Sequence, residues 1–417
     1  TTIITKIQAM NNFISITVKC FILSFLLFST AYTFAQEEDK KEKDKGDLFD
    51  NFKKKQDAAY TNFKDKTDKQ FEAYEKANKE AFDKFKEDVE KLWGAADFKE
   101  STKKNWVEYS SDKKTRTDVD FEKGEATVEL LMTPEEAANQ QLVEQKISQA
   151  VENLATTKGS TKDFTSSVEN PEPLSKTPVL QNQLETDKGE KVTELNVREY
   201  AQEIVSTQTI TKQPVTGKDN QKRVKVVISL PLAPDNIKIR AEKYINLINQ
   251  YARKYDLEQE LVFAIMHTES YFNPKARSHV PAFGLMQLVP KYAGRDAYNY
   301  IYKKDILVTA NYLYQPKNNI ELGTAYLYML YNRSFRNIKE PLSRLYCSIA
   351  AYNTGAGNVS RAFIGTTKLP KAIPVINEKS PEQVYNHLRR YLPYDETKDY
   401  IKKVTSRMEA YSEWMED

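Results

Sequence analysis

The sequence predicts an α+β protein with a long amino-terminal helix, a small α/β domain with antiparallel strands, and an all-α carboxy-terminal domain. Three observations predict it. Aromatic residues recur every 11 positions from Phe49 to Trp93, apolar and polar residues alternate with period two between Val119 and Leu130, and from Asp235 onward apolar residues fall at helical spacing. The expected divisions are 1–35 for an upstream and targeting segment, 36–94 for the helix, 95–233 for an accessory domain and 234–417 for the helical domain.

A chain of 417 residues exceeds a typical single domain, in keeping with two folded units plus extensions. Its 62 basic and 59 acidic residues nearly balance, so the charge of +3 implies no nucleic-acid or other polyanion partner. Near the start, Lys19 precedes the apolar run Phe21 to Phe28, and Thr33 and Ala35 are the small residues of a cleavage site before Gln36. With a start at Met10 this reads as a signal peptide, which places the protein in the periplasm or cell envelope. A retained anchor is the alternative, although the apolar run is shorter than the roughly 20 residues that span a bilayer. Outer-membrane association stays open, but "TVKC" around Cys20 lacks a lipidation box, which puts anchoring in doubt. Cys347, in "RLYCSIAAY", reads as a buried small hydrophobe without a disulfide partner. His267, His279 and His387 show no ligand spacing, so no metal and no cofactor are expected.

In the long helix, Phe49, Tyr60, Phe71, Phe82 and Trp93 are joined at the same interval by Phe52, Phe63, Tyr74 and Phe85. Eleven residues in three turns is about 3.67 per turn, so these aromatics form one stripe on a surface otherwise covered by Lys, Asp and Glu. Such a stripe needs a partner: the protein's own domain, a second copy, a membrane surface or another envelope protein. The accessory domain follows with "NWVEY" as a strand, then a hairpin in which Val119 and Phe121 face Val128 and Leu130 across a turn at Lys123 and Gly124. Thr133 caps a helix with Pro134 at its first position and Glu136 closing the capping box; Leu142, Val143, Ile147, Val151 and Leu154 supply its apolar face. Residues 156–192 lack periodicity and read as a flexible excursion, and "VKVVISLPL" as one more strand.

The helical half opens with an amphipathic helix from Ile237 to Tyr255, and Asp256 with Gln259 makes a capping-box start for the next. On that helix Leu261, Ile265 and Glu269 share one stripe, and Pro274 forces an end near Phe272. A carboxyl on a core-facing stripe, at the negative end of a helix dipole, is disfavoured as an anion and suited to general-acid work. A glutamate near a helix end can equally be a solvated surface residue.

Three further strings, "FGLMQL", "AAYNTGAGNV" and "LPYDETKDYIKKV", follow "ESYFNP" in an order and spacing that resembles the family 1 lytic transglycosylases, the Slt-type, lysozyme-like enzymes that cleave peptidoglycan. The likeness covers roughly Asp235 to Tyr411, and "NIELGTAYLYML" fits the helix between the second and third motifs. The stretch from "LWG" through "WVEYSSDKKTRTDVDFEKGEATVELL" is similar, less sharply, to the domain preceding the catalytic module in the membrane-bound lytic murein transglycosylase C group. Neither likeness accounts for the aromatic helix or the 156–192 stretch.

By this resemblance Glu269 is the catalytic acid/base, supported by Ser270 and by Tyr352, which faces it. The resemblance further implies that Gly284 admits the sugar to the backbone, that Met286 and Gln287 line the glycan groove with Asn353, that Gly355 and Gly357 permit the turn behind, and that Glu396 and Tyr400 meet substrate. Pro281-Ala282 departs from the Gly-Ala common in the family. Ordinary glycosidases need two carboxylates, and no motif here supplies a second near Glu269. The chemistry that the resemblance implies agrees with one carboxylate: cleavage of the β-1,4 bond between N-acetylmuramic acid and N-acetylglucosamine, with the substrate's 2-acetamido group assisting and a 1,6-anhydro end as product. A hydrolytic goose-type lysozyme, with Asp305 or Glu321 activating water, and a non-catalytic peptidoglycan-binding scaffold are the alternatives. Because no stripe residue enters this chemistry, a fragment beginning near Val224 is expected to keep it.

Overall fold

The structure, a computed structural model, describes residues 42–162 and 171–416. The signal-peptide reading, with Met10, Lys19, Cys20 and Ala35, lies outside these residues, as do the side chains of Phe49, Phe52, Tyr60 and Phe63. The chain divides into two units, one ending at Lys69 and the other beginning at Gln70. Helix α1, Glu42–Trp93, runs through the change. In the first unit Lys54, Lys55 and Asp57 of this helix are exposed.

The rest of α1 belongs to the second unit, where its stripe is covered by the protein's own residues. Phe71 and Trp93 are buried, the ammonium of Lys291 lies 5.0 Å from the Phe71 ring and the guanidinium of Arg277 5.3 Å from that of Phe82. Phe85 packs edge-on to Phe98 and Tyr109, and Trp93 to Tyr109. Of the partners considered for the stripe, its own domain therefore covers the part from Phe71 onward.

The accessory domain is a five-stranded, wholly antiparallel sheet backed by helices. Strands β1 (Asn105–Tyr109), β2 (Thr115–Asp120) and β3 (Glu125–Met132) are consecutive neighbours. Helices α2 (Pro134–Ala138), α3 (Gln140–Thr156) and α4 (Val197–Thr207) follow, then β4 (Thr211–Thr216) and β5 (Lys222–Pro231), giving the order β1-β2-β3-β5-β4. Gly124 turns the β2–β3 hairpin at φ 70°, and Thr133 and Glu136 close the expected capping box of α2. Strand β4 escaped the sequence reading because it is an exposed edge strand without alternation. Its Pro214, opposite Val224, is tolerated only at such an edge.

Residues 171–192 correct a second expectation, because they are packed coil and not a flexible excursion. Leu174 enters the core of the helical domain, whereas Val179, Leu180, Leu184 and Val192 enter that of the sheet. The buried residues are seated one at a time by an irregular backbone, which leaves no period to detect; residues 163–170 lie outside the description.

The helical domain begins with α5 (Asn236–Glu242) and α6 (Ile245–Tyr255), two helices where one was expected. Asp256, at φ 51°, ends α6 in the left-handed region, and α7 (Gln259–Ser270) starts after Glu258 without a side-chain cap, so the expected capping box at Asp256 is absent. There follow α8 (Arg295–Tyr302), α9 (Ala310–Tyr314), α10 (Pro316–Met329), α11 (Pro341–Thr354), α12 (Ala356–Ile364), α13 (Leu369–Asn377), α14 (Pro381–Tyr391) and α15 (Asp395–Glu416). Helix α7 is central: Leu261 to Met266 are all buried and the helix packs on α15. The α+β class is as the sequence predicts.

Arg240 joins sheet to helices. Only 2% exposed, it donates to the carbonyls of Phe121 and Tyr271, each at 3.0 Å, to Gln183 at 2.8 Å and to Asn236 at 2.7 Å. Burial pushes its pKa down to about 9. Replacing Arg240 with Met strands these acceptors and should lower the unfolding free energy by about 3 kcal/mol, measured by chemical denaturation. A loss below about 1 kcal/mol, no more than one ordinary hydrogen bond, would show that the two domains are joined elsewhere.

Candidate active site

Leu261, Ile265 and Glu269 all lie on the buried face of α7, and Glu269 is 5% exposed. The helix ends at Ser270, two residues earlier than expected, because Tyr271 and Phe272 turn left-handed at φ 52° and 61° ahead of Pro274. Burial pushes the Glu269 carboxyl up to about 7; Lys103 and the Tyr400 hydroxyl pull it down, and the Glu396 carboxylate adds to the rise. Tyr352 and Tyr400 are themselves raised well above an ordinary tyrosine, first by burial and then by Glu269.

Lys103 was missed by the sequence reading. Its Nζ lies 3.9 Å from Glu269 Oε2 and 3.2 Å from Glu396 Oε1. It comes from the turn before β1, which docks on the residues following α7: Asn273 Nδ2 donates to the carbonyls of Thr102 at 3.3 Å and Asn105 at 3.2 Å. A pair of lysines before a strand is an ordinary solvated feature, and nothing local relates it to a carboxyl so far along the chain. A fragment beginning near Val224, expected to keep the chemistry, lacks this ammonium and the turn behind it. Glu396, reached through Lys103, is likewise the second carboxylate that the motifs were read as lacking.

The loop from Phe283 to Leu288 is pinned from three sides. Asn319 on α10 donates to the carbonyls of Phe283 and Leu313, both at 2.8 Å, and accepts from Met286 N at 2.7 Å. Ser270 Oγ lies 2.7 Å from the Leu285 carbonyl and 3.1 Å from that of Met266, and Tyr352 donates to the Met286 carbonyl at 2.9 Å. Ser270 therefore holds the loop against α7 and makes no hydrogen bond with Glu269, contrary to the role first given it.

Gly284 has φ 76°, and a Cβ there would stand 2.4 Å from Asn319 Nδ2 and from the Leu313 carbonyl. Its small size serves this packing, and Met286, fully buried against Gly323, is core and not the wall of an open groove. Gln287 donates to the Gly284 carbonyl at 3.0 Å, while its Oε1 has no hydrogen-bond partner among the described residues. The buried Tyr400 hydroxyl faces Glu269 and favours its carboxylate. Asn353 accepts from Thr397 at 2.6 Å. Gly355, at φ 84°, makes the turn after α11, whereas Gly357 lies inside α12 in ordinary contact with Thr367 and is not required to be glycine.

The alternative water-activating residues are engaged elsewhere: Asp305 with Arg295, Glu321 with Lys254 and Tyr302. Neither is among the groups that act on Glu269. Cys347 is buried, with its thiol raised by burial. Among the described residues no group of three or more His, Cys, Asp or Glu side chains could hold a metal ion.

Two family models match the chain, the transglycosylase SLT domain over residues 246–373 and the membrane-bound lytic murein transglycosylase C, N-terminal domain, over 64–243. The chain is similar to membrane-bound lytic murein transglycosylase C of Mannheimia succiniciproducens, with 30% identity over 78% of this chain and 87% of that one. The proteins of the same name from Klebsiella pneumoniae and Salmonella arizonae are 34% identical at the same coverage. Among solved structures it is similar to an inactive mutant of the lytic transglycosylase Slt of Pseudomonas aeruginosa, at 27% identity and TM-score 0.32, covering 41% of this chain and 24% of that one. The 70-kDa soluble lytic transglycosylase of Escherichia coli gives 25% and 0.34, covering 44% and 26%. The chain thus spans about a quarter of those two proteins, but most of the length of its relatives at 30–34% identity, and it belongs to the membrane-bound lytic murein transglycosylase C family.

Proposed function

We propose that this chain cleaves the β-1,4 bond between N-acetylmuramic acid and N-acetylglucosamine in peptidoglycan, with Glu269 as its single acid and base and a 1,6-anhydro sugar as product. The observation that carries this is the Glu269 carboxyl, buried at the end of α7, where lost hydration pushes its pKa up to about 7. An acid with that affinity can give up its proton and take one back near neutrality.

In the first step Glu269 gives its proton to the glycosidic oxygen, the bond from C1 to that oxygen breaks, and the 2-acetamido oxygen bonds to C1. In the second, Glu269 takes the proton of the C6 hydroxyl, whose oxygen attacks C1 as the acetamido bond breaks. Water takes no part. The unpartnered Gln287 Oε1 suits a polar group of the sugar, since a buried polar atom left open marks a place where a ligand completes the bonding. Glu396 is the other carboxylate acting on Glu269 and would be the base for water in a hydrolytic version of the site. The relatives are named membrane-bound, which supports a place in the cell envelope; among the described residues no helix is long and apolar enough to cross a membrane.

Mass spectrometry of fragments released from purified cell wall should find anhydro-muramic ends. Reducing ends that take up oxygen from labelled water would make the protein a lysozyme.

Glu269→Gln should reduce turnover by about 10⁴ or more, the upper end for a general acid, because the same group also serves as base. Activity within about tenfold of wild type, less than any general acid contributes, would move the chemistry to another residue.

The raised pKa also predicts how stability follows pH. Folded Glu269 keeps its proton to about 7, against an ordinary 4.5, so the folded state loses stability as pH rises through that interval. Above it the loss is about 3 kcal/mol. Glu269→Gln escapes this loss, and should therefore resist denaturant better than wild type at pH 8 but equally well at pH 4. Equal stability at both would mean that Glu269 is not held protonated.

A further inference from the structure

We propose that Lys103, supplied by the accessory domain, is a positioning residue for Glu269, its ammonium moving between Glu396 and Glu269 as Glu269 holds and releases its proton. This rests on Glu269 being the acid and base. The geometry fits the resting half of such a cycle. Lys103 Nζ is nearer the exposed Glu396, at 3.2 Å, than the buried Glu269, at 3.9 Å, as expected while Glu269 is neutral. Once Glu269 has protonated the leaving oxygen, its new carboxylate is the less hydrated of the two anions and attracts the ammonium more strongly. The lysine side chain is 33% exposed, between 6% for Glu269 and 72% for Glu396, so it stands at the boundary between buried acid and solvent.

Its backbone is fixed, and its ammonium lies within reach of both carboxyls. Thr102 Oγ1 accepts from Lys104 N at 3.2 Å and Asn105 N at 3.0 Å, and Asn273 holds the turn from the helical domain. The adjoining Lys104 is anchored to Glu122 and lies 5.3 Å from the Tyr271 ring. The other groups facing Glu269 are Tyr352 from α11 and Tyr400 and Glu396 from α15. On α7 itself, Ser270 bonds backbone carbonyls and His267 pairs with Tyr411 at 3.0 Å. Arg407 is engaged by Thr268 and Tyr271. Lys103 is thus the cation that acts on this carboxyl. It transfers nothing; it stabilises the anion that exists between the two proton transfers.

The test uses the full-length protein, purified cell wall and the rate of anhydro-muropeptide release across the basic limb of the pH profile, at low salt, with thermal melts to establish folding. Lys103→Met should move that limb upward by roughly one pH unit and lower the maximal rate, and Lys103→Arg should restore the limb. Glu396→Gln should move the limb downward, because it removes a repelling charge and leaves Lys103 wholly to Glu269. With Glu269→Gln inactive, an unmoved limb in Lys103→Met, or a limb moving the same way in Lys103→Met and Glu396→Gln, overturns the proposal alone. Should Lys103→Met not fold, a limb that fails to move downward in Glu396→Gln overturns it. An active Glu269→Gln overturns instead the assignment of Glu269 on which the proposal depends.

Discussion

The burial of one carboxyl at the end of a helix is the constraint on which this site depends. An ionised glutamate there would be penalised by lost hydration and by the helix dipole, and both effects favour the protonated form that an acid needs. The neighbouring loop from Phe283 to Leu288 is fixed through its backbone: Ser270, Asn319 and Tyr352 all bond its main chain. Most of the side chains that look functional in this region act on the loop and not on the acid.

That division explains what was legible in the sequence. The four motifs lie close to the residues they position, and helical spacing alone places Glu269 on the buried stripe of α7. Residue type did not reveal whether a motif residue meets substrate or holds backbone. Gly284 and Met286 were read as surfaces for sugar, yet Gly284 makes room for Asn319, and Met286 fills the space over Gly323. Both uses call for the same small or flexible side chain. Lys103 could not be read at all, because its role arises from the docking of β1 on Asn273, a contact between distant parts of the chain.

The fold shows the same limit. Hairpin, caps and helices with strong periodicity were visible, because each is decided within a turn or two of chain. Strand β4 and the coil 171–192 were not, since an edge strand is defined by its neighbour and a packed coil by cavities that other elements create. The aromatic stripe lies between these cases. Its period reports one continuous face, but only tertiary structure shows what covers Phe71 and Trp93 in the second unit.

Two successive non-glycine residues in left-handed conformation, Tyr271 and Phe272, are strained by roughly 1–3 kcal/mol each, and something must hold them. Tyr271 is held by both domains: its carbonyl accepts from Arg240 at 3.0 Å, and its hydroxyl donates to Glu122 at 2.7 Å and accepts from Arg407 at 3.2 Å. Phe272 is packed between Tyr244 and Phe263. The sharp end of α7, which fixes where Glu269 points, is therefore maintained partly by the sheet domain through Glu122. The same docking that delivers Lys103 to the acid also stabilises the turn that aims the acid. A module boundary drawn near Val224 would cut through these contacts, because the end of the helix that carries Glu269 is bonded to the sheet domain through Glu122.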